Sequence, residues 1–213
     1  MVKQERAART REALINAAAE VFDRGSFAEA SLATISSLAG VSSGALHFHF
    51  ATKALLADAV QDAALRRLDI ITAQSVAVPR PSLQSLVDAS HDLMRALGTD
   101  AVLRAGFGLS ATSAWPPEQN LRGRWQSWVT QAIELADRRG ELSRKVAPEY
   151  AMTAVVAAMV GFEVLGGTAP HWRSRPVITR FWDLLLPGIA APAVLGGLVP
   201  AGRQPHDAMR VPE

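Results

Sequence analysis

SLATISSLAGVSSGALHFHFATKALLADAV, residues 31–60, reads as two short helices joined by a glycine-centred turn. Leu32, Ile35, Leu38 and Ala39 recur at the three- and four-residue spacing of one helix face. Gly40 supplies the residue that takes positive φ at the turn, and Val41 begins the next apolar contact. Ser42 is a good N-cap for the second helix. The first turn of that helix, Ser43-Gly44-Ala45, is small enough to sink into a DNA major groove about 12 Å wide. His47-Phe48-His49-Phe50 follows, so different faces of one helix are offered to bases, phosphates and core. The spacing is that of a helix-turn-helix DNA reader, with Leu46 and Phe50 assigned to its core.

Working outward, Leu14, Ala17, Ala18, Val21 and Phe22 share one face of a helix between roughly Arg9 and Arg24. Gly25 ends it and Phe27 re-enters the core. The run RTREALINAAAEVFDRGSF, with SLATISSLAGVSSGALHFHFATKALL after it, resembles the DNA-binding domain of the TetR family of transcriptional regulators over residues 9–60. That resemblance places Ser43, Gly44, Ala45 and Phe48 near base edges, with Ser42 at the head of the same helix, and His47, His49 and Lys53 on phosphates. Serine bonds to either kind of oxygen, Phe48 packs on a thymine methyl, and Lys53 adds a point charge. Lys3, Arg6, Arg9 and Arg11 against Glu5 leave three net positive charges in the first eleven residues, from which an arm would touch phosphates or the minor groove.

Composition agrees without deciding. A chain of 213 residues with 49% apolar content can build one large or two small domains, and a net charge of +2 says little about nucleic acid by itself. The absence of cysteine excludes disulfides and thiolate metal sites. No 18-residue uninterrupted apolar run supports a membrane span; Ala151 to Leu165 comes closest, and Glu163 interrupts it. No apolar run near the N-terminus reads as a signal sequence, so the expected location is cytoplasmic.

Beyond Lys53 helical periods continue, over roughly Lys53–Gln74, Ser82–Leu97, Asp100–Leu109, Glu118–Arg139, Pro148–Leu165 and Arg175–Ile189. The breaks are Val78-Pro79-Arg80-Pro81, Gly98, Ala114-Trp115-Pro116-Pro117, Gly140, Gly166-Gly167 and Pro187-Gly188. No run alternates with strand period. The fold expected is all-α: an N-terminal three-helix helix-turn-helix domain, residues 1–53, on a ligand-binding and dimerisation bundle, residues 54–190. Residues 191–213, rich in proline and glycine, are expected to be an extended, partly mobile tail with little helix.

Two of these helices carry more apolar surface than one bundle face covers. Ala151, Ala154, Val155, Ala158, Met159 and Phe162 form one broad face; Ile178, Phe181, Trp182, Leu185 and Leu186 form another. Paired with their symmetry mates they would make a four-helix homodimer interface, as the TetR resemblance also implies, with Ala154, Val155, Ala158, Phe162, Phe181, Trp182 and Leu185 at its centre. Five tryptophans accompany a single tyrosine, and Trp115, Trp125 and Trp128 cluster about the Glu118–Arg139 helix. Indoles form flat walls with one donor, suited to a small effector with a ring and a carbonyl; Phe107 and Met94 join Trp125 and Trp128 as pocket candidates.

The segment from Trp125 through Gly140-Glu141-Leu142 and Pro148 to Gly161 resembles the γ-butyrolactone receptor branch of the TetR family. So do GALHFHFATK, LLPGIAAP at Leu185–Pro192 and the opening KQERAARTREALINAAAEVFD. In that branch a tryptophan matching Trp125 lines the ligand pocket, and a diffusible lactone releases the receptor from operators near antibiotic-production genes. The usual tyrosine is replaced here by His47, a feature of pseudo-receptors that answer to antibiotics or their intermediates.

Two rivals meet the same residues. An enzyme would show a nucleophile elbow, a P-loop, a dinucleotide glycine pattern or HExxH, and none occurs; His47 and His49, two apart, point to different sides of a helix and form no metal pair, and no cofactor is implied. A helical interaction module without DNA would place acidic or bulky groups at the front of the second helix, where Ser43-Gly44-Ala45 stands instead. The expected function is a repressor released from a near-palindromic DNA operator by a small molecule, with no membrane partner.

Overall fold

The computed structural model describes residues 2–76, 82–111 and 120–203, without the side chains of residues 2, 3 and 76. Ten α-helices follow one another among the described residues: α1 Val2–Arg24, α2 Leu32–Leu38, α3 Ser43–His49, α4 Lys53–Val76, α5 Ser82–Thr99, α6 Ala101–Leu109, α7 Leu121–Arg138, α8 Pro148–Thr168, α9 Arg175–Ile189 and α10 Pro192–Leu195. A 3-10 turn, Pro170–Arg173, joins α8 to α9, and extended pairing is limited to one bridge between Leu142 and Ala190. The chain divides into two compact units, Met1–Asp69 with Asp100–Arg124, and Ile70–Thr99 with Trp125–Glu213.

In the first unit the apolar face of α1 buries Leu14, Ala17, Ala18 and Phe22, and the ring of Phe22 meets Phe27 edge-on at 5.7 Å. Ile35, Leu46 and Phe50 complete the reader's core. Leu38, read as part of the inner face of α2, is instead 47% exposed. Behind the reader, α6 approaches α4 so closely that a Cβ on Gly106 would stand 2.5 Å from that of Ala64, which only glycine permits. Asp100 caps α6 by accepting from the amides of Val102 and Leu103 and also pairs with Arg67 of α4. Arg104 of α6 grips both carboxylate oxygens of Asp23 near the end of α1, at 3.0 and 2.9 Å.

In the second unit the carboxylate of the buried Glu141 accepts from the amide of Leu83, in the first turn of α5, across 58 residues. Every residue from Ser82 to Ser90 is buried, five of them polar. Part of this run, Gln84 and Asp88, meets the segment after α9. Val199, Pro200 and Arg203 bond back to Gln84, His91 and Asp88 respectively.

Several expectations from sequence are revised. The basic N-terminal segment is not an extended arm: Arg6 and Arg9 lie on α1, where Arg9 pairs with Glu5 one turn away at 3.6 Å. Gly166-Gly167 does not end α8, which runs to Thr168; the missing side chain at Gly166 is where the side chain of Arg173 lies, within 2.4 Å of where a Cβ would be. Residues 191–203 form α10 and an ordered strap, because their backbone groups find partners in the polar residues of α5. The breaks at 78–81 and 114–117, Trp115, the start of the Glu118 helix, the side chain of Lys3 and the tail from residue 204 lie outside the described residues.

Candidate nucleic-acid interface and effector site

The turn between α2 and α3 has the geometry its residues require. Gly40 sits at φ +67°, its amide donates to Ser37 and that of Val41 to Ser36, the double bond that closes a helix on a left-handed residue. Ser31 caps α2 by accepting from Ala33, and Ser42 caps α3 by accepting from Ala45. The chain therefore leaves α2 through a closed turn and enters α3 through a serine cap, and the front of α3 is left bare.

Ser42, Ser43, Gly44, His47 and Phe48 are exposed, and Ala45 and His49 are half-buried. Phe48 stands 83% exposed, its ring edge-on to that of His49 at 5.3 Å. A Cβ at Gly44 would have only the Ser42 hydroxyl within 4 Å, at 3.9 Å, so the front of α3 is open space. Arg9 and Arg11 are exposed on α1, and the guanidinium of Arg11 lies over the Phe50 ring at 5.3 Å.

Lys53 is used differently from the phosphate contact the motif implies. Its ammonium donates to the carbonyls of Ala28 and Ala30 and lies 4.8 Å from the centre of the Phe27 ring. It fastens the start of α4 to the loop between α1 and α2, with one of its three protons left over.

In the second unit Trp125 is 1% exposed, and its ring stacks on that of Trp128 at 5.2 Å. The indole N–H of Trp125 has no hydrogen-bond partner among the described residues. A buried orphan donor is costly, by about 1–3 kcal/mol, which makes this N–H a place where a carbonyl oxygen would be welcome. Met94 is buried on α5 of this unit, whereas Phe107 is buried on α6, in the first unit.

Of the apolar face on α8 and α9, Val155 and Trp182 are wholly buried in the protomer and offer no surface to a second chain. Ala154, Ala158, Phe162, Phe181 and Leu185 are half-buried. Val164, Leu165 and Leu184 are exposed at 53%, 43% and 83%, and the sequence reading did not single them out. The signal was present in Leu184-Leu185-Leu186: three consecutive residues turn through about 200° on a helix, so one core cannot take all of them. By length and mean hydropathy of 1.6, α8 also meets the requirements of a membrane span, with 28% of that window buried.

Residues 14–60 match the family described as bacterial regulatory proteins, tetR family. The A-factor receptor protein of Streptomyces griseus is 32% identical over 205 residues, covering 95% of this chain and 72% of that protein. The chain belongs to the TetR family. Its place is in the γ-butyrolactone receptor branch of TetR-family regulators. The crystal structure of a γ-butyrolactone receptor described as ArpA-like shares 28% identity and a TM-score of 0.75, covering 90% of this chain and 93% of that one. CprB of Streptomyces coelicolor, solved in complex with its biological operator sequence, shares 27% identity and a TM-score of 0.76, covering 90% and 94%. As in other TetR-family regulators, an N-terminal helix-turn-helix reader is followed by a larger helical bundle.

Proposed function

We propose that this TetR-family protein is a homodimeric repressor that holds a near-palindromic operator through its two α3 helices. A small γ-butyrolactone-like signal bound beside Trp125 and Trp128 releases it, and its targets are antibiotic-production genes. Residues 1–53 are the reader, residues 54–190 the effector and dimer bundle, and residues 191–213 a C-terminal extension. It works in the cytoplasm, by binding and without catalysis.

The observation that carries the reading is Phe48. A large aromatic ring 83% exposed on a short helix with a serine N-cap is bare apolar surface, and the small, uncharged first turn ahead of it fits a major groove. His47 and Ser43 stand beside it as donors, and Arg9 and Arg11 supply positive charge to phosphates. The relatives named as receptors for A-factor and γ-butyrolactones and the operator complex of CprB support the same roles. The coupling element is α4, since Lys53 ties its first turn to the carbonyls before α2, so a shift of α4 drags the reader with it. Two heads set about one helical turn apart then lose their register. His47 in place of the branch's tyrosine favours a second reading, in which the effector is an antibiotic or its intermediate.

The test is selection of bound DNA from a random duplex pool, followed by release with lactones and antibiotics as separate candidates. Gly44→Glu is the control. The space in front of Gly44 accepts a side chain without disturbing the fold, so that variant stays folded and loses the selected site. Retained binding overturns the assignment of α3.

A further inference from the structure

The helix assigned to the operator, α3, carries no fixed charge. Between Glu29 and Asp58 the chain has no carboxylate and no arginine, and its one lysine is Lys53. That ammonium is already bonded to the carbonyls of Ala28 and Ala30. No residue of α2 is ionisable, and α3 has two such residues, His47 and His49, both in its last turn. Contact with phosphate supplies the sequence-independent part of DNA affinity, so a reading helix of this composition draws on its histidines for any cation of its own.

No polar group of the protein holds either ring. His47 is exposed and has no hydrogen-bond or ion-pair partner among the described residues. His49 is half-buried, its ring edge-on to Phe48 at 5.3 Å, and likewise lacks a polar partner among them. The elements around α3 place no carboxylate on the two imidazoles. On α1, Arg6 and Glu12 are exposed, Arg9 pairs with Glu5 at 3.6 Å, and Arg11 lies over the Phe50 ring. In the loop before α2, Glu29 accepts from the hydroxyl of Ser26 at 3.2 Å. On α4, Lys53 is bonded as described and Asp58 is engaged by other groups.

Histidine is the side chain whose charge ordinarily changes between about pH 5 and 8. The neutral ring offers a phosphate one donor and turns an acceptor lone pair elsewhere; the protonated ring offers two donors and a full positive charge. A phosphate oxygen beside the ring therefore favours the protonated form. Coupling of this kind is reciprocal, so whatever the phosphate does for the proton, the proton does for DNA affinity.

We infer that operator binding is linked to proton uptake on α3, by His47 and with it His49, so that the protein holds its operator more tightly as pH falls from about 8 to about 6. The inference rests on the assignment of α3 to the operator and adds to it a dependence on acidity. In a dimer both heads carry the pair, which doubles the number of protons taken up.

The experiment is fluorescence titration of the intact protein onto its selected operator at about pH 8 and about pH 6, at constant ionic strength, with circular dichroism confirming the fold at each pH. Affinity is expected to rise at least about tenfold at the lower pH. The slope of log affinity against log salt is expected to steepen by about 0.9 for each phosphate newly neutralised. Calorimetry near pH 7 in buffers of different ionisation enthalpy is expected to register net proton uptake. His47→Gln keeps a donor and cannot titrate, so its affinity is expected to change less than about threefold between the two pH values, and His47→Gln with His49→Gln is expected to abolish the change. His91, His171 and His206 remain in both variants, and a response carried by them survives there. Equal affinity of the parent at both pH values, or an undiminished response in the double variant, overturns the proposal while leaving α3 as the reader. Absence of a selected operator at either pH overturns the reader assignment and this inference with it.

Discussion

The side-chain amide of Gln84 pairs with the backbone of Val199 in both directions, accepting from its N–H at 2.7 Å and donating to its carbonyl at 3.3 Å. One buried glutamine thereby does for the strap what a neighbouring strand does in a sheet, 115 residues away in sequence. Its Nε2 also donates to Asp88, which takes the amide of Arg203. Gln84→Met keeps the length of the side chain and removes these bonds. The expected loss is about 1–3 kcal/mol, read as a lower urea midpoint, with faster hydrogen exchange at the amides of Val199 and Arg203. Unchanged exchange there would mean that the strap is held by something other than this pair.

Phe48→Ala separates recognition from folding. With the ring 83% in solvent, stability stays within about 0.5 kcal/mol of the parent. Operator affinity falls by roughly ten- to a hundredfold in a fluorescence titration, as loss of a base contact predicts.

Trp125→Phe removes the orphan indole N–H and retains most of the ring. Stability is expected to change little, since the loss of a buried donor without a partner, about 1 kcal/mol or more in favour, offsets the space left by the smaller ring. The effector concentration needed to release DNA rises at least about tenfold. A destabilised variant with an unaltered effector response would show that the N–H serves the fold instead.

Leu184→Glu places a charge at the most exposed apolar position of α9. The protomer stays folded because the side chain already points to solvent, while a dimer closed over this face dissociates. Analytical ultracentrifugation is expected to show a shift to monomer, and operator affinity falls with it. A dimer that survives would place the interface elsewhere than on α8 and α9.

His91 makes the second unit sensitive to acid. Its folded pKa lies below the unfolded value near 6.5, so the unfolded chain binds the proton more readily. The stability it contributes is complete above that value and is lost as pH falls below it. Denaturation at pH 7.5 and pH 5.5 is expected to show a drop that His91→Gln reduces; an equal drop in both proteins would assign the sensitivity to other groups.

Local patterns carried the reader. The serine caps, the glycine turn and the apolar spacing of α1 to α3 are interactions among residues a few positions apart, so the order of residues suffices to specify them. Lys53 is the exception within the motif. Nothing in its neighbours reveals that its ammonium closes on carbonyls 23 and 25 residues earlier.

The all-helical fold and the capped entry to α3 were determined by the sequence itself, through periodicity and caps, whereas the expected break at Pro187-Gly188 falls inside α9. Tertiary structure alone decided the fate of the polar face of α5. Its serines, Gln84 and Asp88 are all buried, Gln84 and Asp88 by bonding to the strap. Proline and glycine leave that segment's amides and carbonyls without a helix to pair them, and α5 holds the donors and acceptors that satisfy them. Which of three adjacent leucines faces outward, and that Trp125 keeps an unpaired donor, were likewise settled by packing between distant parts of the chain, which no local pattern encodes.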